Sequence, residues 1–154
     1  MERNRKRLIL FCSLTFAMML VIFLFSAQDG GESGGLSEWL LSTPFGRTLM
    51  SILPRLSDQG LEHDLRKYAH MTEYALLAMP AFGFFRELLL CRNRWPAFLT
   101  ALLFCFLYAC SDELHQRLIP GRSGMFSDVL IDTVGVLFGL LIAWALSLLR
   151  KEPQ

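Results

Sequence analysis

Charged side chains are scarce in this sequence, and several familiar signals are missing. Only 19% of the 154 residues are charged, and the formal net charge is +1, whereas soluble domains carry about 25% charged residues. Lysine and arginine do not form a stripe interleaved with aromatics, so we expect no nucleic-acid partner. The four cysteines show no metal or redox spacing, and we therefore predict neither a metal nor a cofactor.

Long apolar runs are what the chain has in quantity. Hydrophobic residues make up 53% of it, and a helix needs about 20 apolar residues to cross a bilayer core of about 30 Å. Four runs cover residues 8–25, 68–85, 95–115 and 128–149. The sequence therefore predicts an all-α integral membrane protein, a four-helix bundle that forms one domain over residues 1–154.

The basic residues are unevenly distributed, and this predicts an orientation. The first run follows the basic head MERNRKR, and Phe25 spoils the small-residue pattern of a cleavage site, so we expect an uncleaved anchor. Lysine and arginine are enriched in cytoplasmic loops, which predicts that both termini are cytoplasmic. Nine of the fifteen basic residues would then lie in three short cytoplasmic pieces: Arg3, Arg5, Lys6, Arg7, Arg86, Arg92, Arg94, Arg150 and Lys151.

The connection over residues 26–67 has two parts. The stretch QDGGESGGLS is glycine-rich, and we expect a flexible hinge there. In EWLLSTPFGRTLMSILPRL, apolar residues recur at helical spacing, which favours a segment lying in the outer interface with Trp39 at headgroup depth. A loop packed on the bundle is the alternative, because Pro44 and Pro54 would interrupt a helix.

The unusual polar residues all fall at the ends of the runs that face outward in this topology. They are Ser26, Gln28, Lys67, His70, Glu73, Asp112, Glu113, His115, Gln116, Arg122, Asp128 and Asp132. Taken singly, such residues often cap or anchor helices, as Ser127 or Asp128 could do for the fourth helix. Ionisable residues within a membrane helix are costly and usually face a partner or a wet cavity. Their convergence on one face therefore indicates a functional site.

Helical spacing sharpens this expectation. Tyr108, Asp112 and His115 share one stripe of the third helix at i, i+4 and i+7. On the fourth helix, Asp128 and Asp132 lie above a face of small residues at 135, 139 and 143, which favours close helix packing and turns the acids inward. The Pro120-Gly121 pair in the loop suits the centre of a type II turn. Arg122 follows it near the start of the fourth helix, where phosphate or carboxylate would bind.

Two motifs, RKYAHMTEYALLA and SDELHQRLIPGRSGMFSDVLIDTVGVLFG, resemble the VanZ-like family. The shared pattern is R-K-x-x-H-x-x-E-Y, then D-E-x-H-Q, a P-G-R turn and D-V-L-x-(N or D)-x-x-G. The resemblance implies a small integral protein of the bacterial cytoplasmic membrane. The family's named member accompanies glycopeptide resistance and lowers sensitivity to teicoplanin more than to vancomycin. The implied signature residues are Arg66, Lys67, His70, Glu73, Tyr74, Asp112, Glu113, His115, Gln116, Arg122, Asp128 and Asp132.

The first hypothesis is an envelope protein that binds a lipid-linked precursor, an anionic headgroup or the lipoglycopeptide itself at its outer face. Arg122 and Lys67 would contact phosphate or carboxylate. Trp39 and the interfacial segment would meet an acyl chain, which teicoplanin carries and vancomycin does not. The expected ligand-binding residues are Lys67, Glu113, Gln116, Arg122, Asp128 and Asp132.

Two other hypotheses remain open. A membrane-embedded hydrolase of a lipid headgroup or cell-wall precursor would use His70, Glu73, Asp112 and His115 as its catalytic residues. A metal-dependent version is less favoured, because the i, i+3 pairs of histidine and acid do not form an E-x-x-H motif. An ion pathway through Glu73 and Asp132 is the least favoured, since nothing charged lies in the inner halves of the helices.

Overall fold

The protein is all α-helical in the part that the structure, a computed structural model, describes. It describes residues 2–28, 30–90, 93–122 and 124–149, so Cys91, Arg92, Arg150 and Lys151 lie outside it. The helices are α1 (Glu2–Ser26), α2 (Gly30–Ser42), α3 (Pro44–Ile52), α4 (Leu61–Leu89), α5 (Trp95–Gln116) and α6 (Phe126–Leu149). No strand occurs in the described ranges, and the prediction of an all-α protein is confirmed.

Among the described residues, three helices are long and apolar enough to cross a membrane, which supports the prediction of a membrane protein. They run over Asn4–Ser26, Trp95–Gln116 and Phe126–Leu149. The predicted run 68–85 lies within α4, but α4 begins at Leu61 and ends at Leu89. The sequence boundary was wrong at the start because residues 61–67 are mostly polar and charged. They still continue the helix, since their backbone bonds do not depend on apolar side chains.

α4 is the central helix of the fold, with α1, α5 and α6 packed against it. Its side chains Tyr74, Leu77, Ala78 and Ala81 are fully buried in the main hydrophobic core. The outward faces of α1, α5 and α6 carry many exposed leucines and phenylalanines. Exposed apolar faces around a buried core are what a helix assembly in lipid requires, because lipid replaces water outside.

The close packing of α6 follows the predicted face of small residues, and its partner is α4. A side chain at Gly135 would clash with the backbone carbonyl of Met71, and one at Gly139 with that of Ala75. The two helix backbones therefore approach each other so closely that only glycine fits. This approach brings the first turns of α6, with its acids, against the first half of α4.

Much of the connection between α1 and α4 is helical, and the prediction of a flexible glycine-rich hinge at residues 28–37 is wrong for residues 30–37. α2 covers that stretch and packs against α3 and α4, and such tertiary contacts override the low helix propensity of glycine.

The two prolines of this connection mark helix boundaries instead of interrupting a helix. Pro44 stands in the first turn of α3, where its missing N–H costs nothing, and the Thr43 hydroxyl caps the helix by accepting from Gly46 N at 3.1 Å. Pro54 follows the end of α3. Trp39, Phe45 and Ile52 are exposed, and the placement of this segment in the interface stays a prediction.

Candidate functional site

A polar cavity of about 160 Å³ lies where the start of α4, the end of α5 and the start of α6 meet. Its lining includes seven of the residues that the sequence singled out: Lys67, His70, Glu113, Gln116, Arg122, Asp128 and Asp132. The ends of three helices and one loop thus bring these residues together at one end of the molecule. Glu73, Asp112 and His115 do not belong to the lining.

Asp112 lies beside the cavity and ties α1 to α5. Its Oδ2 accepts hydrogen bonds from Ser26 Oγ at 2.9 Å and from Gln116 Nε2 at 3.0 Å. Gln116 Nε2 also donates to Glu113 Oε1 at 3.1 Å. All four side chains are buried, so the network fixes their orientations. Asp112 acts here as an acceptor that holds the end of α1, and its catalytic role stays a prediction.

Arg122 connects the loop between α5 and α6 to the end of α1 through hydrogen bonds. Its Nε donates to Gln28 O at 2.9 Å, its Nη2 to Phe25 O at 2.8 Å and its Nη1 to Gln116 Oε1 at 3.3 Å. A cation at the carbonyl end of a helix is favourable because it satisfies free carbonyls and opposes the helix dipole. All three guanidinium nitrogens of Arg122 thus contact the protein itself, and binding of an anion by Arg122 stays a prediction.

The turn that presents Arg122 has the predicted geometry. Gly121 has φ 75°, and Arg122 N donates to Ile119 O at 3.2 Å, as in a type II turn with glycine in the left-handed region. Burial lowers the pKa of Arg122, and the nearby Arg66 cation lowers it further. Arginine still remains protonated at neutral pH because its ordinary pKa is so high.

A buried ion pair crosses the cavity from α4 to α6. Lys67 Nζ donates to Asp128 Oδ1, and the two side chains are only 8% and 18% exposed. Glu113 Oε2 accepts from the backbone N–H of Met125 at 3.0 Å, just before α6 begins. These contacts join all three helices around the cavity. Removing either charge would leave the other without compensation in a poorly hydrated place.

His70 and Glu73 form a pair of neighbouring ionisable side chains at the site. Nδ1 of His70 and Oε2 of Glu73 are 3.4 Å apart. Both atoms are buried, and neither has a hydrogen bond of good geometry within the described residues. His70 lines the cavity, as does Asp132, which is 2% exposed. An imidazole next to a carboxylate at a cavity can exchange protons with a ligand or water.

The predicted stripe on α5 faces α1 and not the cavity. His115 stacks on the ring of Phe23, with the ring centroids 4.8 Å apart, and the hydroxyl of Tyr108 donates to Met19 O at 2.6 Å. His115 thus lies against α1 and outside the cavity lining, and its catalytic role stays a prediction. The physical reason is that α1 covers this side of α5, which helical spacing alone does not reveal.

The lining also contains residues that sequence reasoning overlooked, mainly His63 and Gln59, while Arg66 was named only through the family pattern. The signal was present: His63, Lys67 and His70 are spaced i, i+4, i+7, but the helix was predicted to begin at residue 68, after His63 and Lys67. Burial lowers the pKa of His63, and the cations Lys67 and Arg66 lower it further. The imidazole of His63 is therefore neutral at pH 7.

Within the described ranges, no group of three or more histidine, cysteine or acidic side chains is arranged to hold a metal ion. The side chains that line the cavity supply cations, carboxylates and imidazole.

Comparison with known protein families identifies a family that the chain matches. The model of the family described as VanZ/LLP1 matches residues 11–149, nearly the whole chain, which confirms the resemblance seen in the motifs. No curated protein and no solved structure gives a significant match.

Proposed function

This chain belongs to the VanZ/LLP1 family, and we propose that it is a bacterial cell-envelope protein whose polar cavity binds the anionic head of a lipid-linked or cell-wall ligand. The observation that carries the proposal is the polar cavity itself, which gathers Arg66, Lys67 and two histidines at the end of apolar helices. Buried charge at a membrane face is costly and is retained where it has a task.

The size of the cavity supports a ligand of which only the head is enclosed. About 160 Å³ is below the roughly 300–1,000 Å³ of sites that enclose whole small molecules. A phosphate or carboxylate group fits such a space, and the remainder of the ligand would lie along the helices in the bilayer. The anion would compete with Asp128 for Lys67, since those two side chains are paired in the structure.

The proposed topology places this cavity at the outer face of the cytoplasmic (inner) membrane. α1, α4, α5 and α6 would cross the bilayer as a four-helix bundle, with both termini in the cytoplasm, following the bias of lysine and arginine. α2 and α3 would lie in the outer interface, which is supported by the exposed rings of Trp39 and Phe45. Envelope precursors and extracellular antibiotics reach this face directly.

A role in lowering teicoplanin sensitivity is part of the proposal. The family resemblance implies it, and the acyl chain of teicoplanin would bring that antibiotic to the surface where the cavity opens. The same site would act less on vancomycin, which has no acyl chain.

The test is susceptibility to teicoplanin and vancomycin in a sensitive Gram-positive host at matched membrane levels of wild type, Lys67→Gln, His70→Gln and Arg47→Gln. Arg47 is exposed on α3, outside the cavity lining, and serves as the matched charge control. We expect wild type and Arg47→Gln to raise teicoplanin tolerance and the two cavity variants to lose it. Equal tolerance in all four strains would remove the link between cavity and resistance.

Binding is tested separately with purified full-length protein and vesicles that contain a polyprenyl phosphate. Wild type and Arg47→Gln should retain the phosphate lipid, while Lys67→Gln should retain much less. If the three proteins bind it equally, the cavity does not recognise the anionic head.

A membrane-embedded hydrolase is the second candidate, favoured by the 3.4 Å approach of His70 Nδ1 and Glu73 Oε2 at the cavity. His70 would take a proton from the water that attacks the phosphorus atom, and Glu73 would orient and stabilise the imidazolium. As the P–O bond to the lipid breaks, the imidazolium would return the proton to the leaving lipid alkoxide. This candidate predicts that His70→Gln abolishes release of phosphate but leaves retention of the polyprenyl phosphate intact. Retention of polyprenyl phosphate by the wild type without any release of phosphate would favour the pure binding role.

A further inference from the structure

Asp132 is a buried acid in the lining of the polar cavity. It lies near the start of α6 and is 2% exposed. Among the described residues, its carboxyl group makes no hydrogen bond and no ion pair. Three further acids, Asp112, Glu113 and Asp128, lie within electrostatic range of it. Burial of a polar group is costly unless a hydrogen bond compensates it, so Asp132 is open to a donor that a ligand brings.

The cations of the cavity lining have other neighbours. Lys67 is paired with Asp128, and Arg122 donates to two backbone carbonyls and to a glutamine side chain. Nη2 of Arg66 lies 3.2 Å from Nδ1 of His63. In the described part of the chain, none of these three cations forms an ion pair with the carboxyl group at the start of α6.

His70 is the imidazole within electrostatic range of Asp132, but it has another acid beside it. Its Nδ1 lies 3.4 Å from Oε2 of Glu73. A proton on His70 adds a single positive charge, which balances one carboxylate and not two. One acid at the cavity therefore still lacks a positive neighbour.

The formal charges of the described lining balance, apart from the histidines. The lining holds three carboxylates and three cations: Glu113, Asp128, Asp132, Arg66, Lys67 and Arg122. A purely anionic head that contacts Lys67 would draw it away from Asp128 and leave two unpaired acids in the cavity. Leaving a buried charge without its partner is strongly unfavourable. A head that carries a positive group next to the anion avoids this cost.

The spacing of the acids suits a small head with both charges. Asp128 and Asp132 are four residues apart on α6, which is about 6 Å along the helix axis. A phosphate at Lys67 would thus have an unpaired acid about one helical turn away. The cavity of about 160 Å³ favours a short link between the two charged groups of the ligand.

We propose that the cavity binds a phosphate ester whose head also carries a primary ammonium group, as phosphoethanolamine does. The phosphate contacts Lys67, and the ammonium group donates to Asp132. This inference rests on the proposed function, because it specifies the head that the same cavity takes.

A quaternary ammonium group fits the cavity less well. It has no N–H to donate to a carboxylate, and such groups are recognised by aromatic side chains. The described lining contains no phenylalanine, tyrosine or tryptophan. Choline esters should therefore bind more weakly than ethanolamine esters.

The test is calorimetric titration of the purified full-length protein in micelles with three soluble phosphate esters. O-phosphoethanolamine carries a primary ammonium group, phosphocholine a quaternary one and ethyl phosphate none. We expect wild type to bind O-phosphoethanolamine about tenfold more tightly than either of the others, the scale of one charge-assisted hydrogen bond. In Asp132→Asn, O-phosphoethanolamine should bind no better than ethyl phosphate.

A second arm of the test distinguishes a lipid from a soluble ester as the source of this head. The protein is incubated with phosphatidylethanolamine or phosphatidylcholine, and retained lipid is counted by native mass spectrometry. A preference for phosphatidylethanolamine that is lost in Asp132→Asn assigns a lipid. A preference that occurs only among the soluble esters assigns a soluble ligand, and either result supports recognition of both charges.

Glu62→Gln is the matched control. It removes an exposed acid at the start of α4, outside the cavity lining, and should behave as wild type. Elution as a single species confirms folding. If Asp132→Asn fails that criterion, the choice of wild type among the three esters still decides.

Three results would overturn the inference. Equal affinity of wild type for the three esters would exclude recognition of the ammonium group while the proposed function stands. An equal loss of ethyl phosphate and O-phosphoethanolamine binding in Asp132→Asn would show that Asp132 contacts the phosphate itself. If wild type binds no ester and retains neither phosphatidylethanolamine nor polyprenyl phosphate, the proposed function fails together with the inference.

Discussion

The two ends of the long helices are built on different principles. At the cavity end, buried Asp112, Gln116 and Lys67 are held by directed hydrogen bonds and an ion pair. At the opposite end, the aromatic rings of Phe98 and Trp144 pack edge to face. Directed polar contacts in a low dielectric specify one geometry and are costly when broken, whereas apolar packing tolerates adjustment. The comparison shows that directed polar contacts hold the cavity end together, whereas apolar packing holds the opposite end.

The largest effect is expected from breaking the ion pair of the cavity end. Lys67→Met should lower the free energy of unfolding by about 3 kcal/mol, because Asp128 is left as an unpaired, largely buried charge. The double change Lys67→Met with Asp128→Leu should recover most of the loss. Reversible unfolding in micelles measures both. If Lys67→Met alone is as stable as wild type, Asp128 is hydrated when its partner is absent.

The second-largest effect is expected at the close contact between α4 and α6. Gly139→Ala should cost about 2 kcal/mol, because its new methyl group meets the carbonyl of Ala75 and pushes α6 away from α4. Gly35→Ala is the matched control, since no atom lies within 4 Å of its added methyl group. Thermal melts of both variants give the comparison, and equal melting temperatures would contradict the close approach of α4 and α6.

A smaller effect is expected where the cavity end holds α1. Asp112→Ala should cost about 1–2 kcal/mol, because Ser26 and Gln116 lose their shared acceptor while they remain buried. Hydrogen exchange of the amides near Ser26 should become faster, while that of the amides near Phe11, at the other end of α1, stays unchanged. Uniform exchange along α1 would show that Asp112 does not anchor the helix locally.

The smallest effect is expected from a change of shape in the apolar packing. Leu140→Met replaces a fully buried side chain by one of similar volume and should cost less than about 1.5 kcal/mol. Binding of polyprenyl phosphate at the cavity should not change, because the site is built by other contacts. A loss of binding would show that the two ends are coupled through α6.

Much of the fold could be predicted from the sequence because it follows from local chemistry. Apolar runs marked the cores of α1, α4, α5 and α6, and the Pro120-Gly121 pair marked the turn before Arg122. The face of Gly135 and Gly139 indicated a close helix contact. Each of these signals depends on residues near one another in the chain, so periodicity and turn chemistry were enough to find them.

The remainder depended on partners that are distant in the sequence. Arg122 donates to Phe25 and Gln28, more than 90 residues away. No local pattern distinguishes an arginine with such contacts from an arginine that binds an anion. His115 lies against Phe23, and the glycine-rich stretch is helical because α3 and α4 support it. At these places the tertiary contacts determine which of several structures forms, because the local sequence is compatible with more than one.

By itself, the sequence determined that this is a helical VanZ/LLP1 membrane protein with its unusual polar residues near one set of helix ends. Hydrophobic length and helical period carry that information residue by residue. Only the tertiary structure decided which of those residues form the cavity and which brace it. The reason is that burial and hydrogen bonding depend on the neighbouring helix. α6 places Asp128 beside Lys67, and carbonyls at the end of α1 accept hydrogen bonds from Arg122.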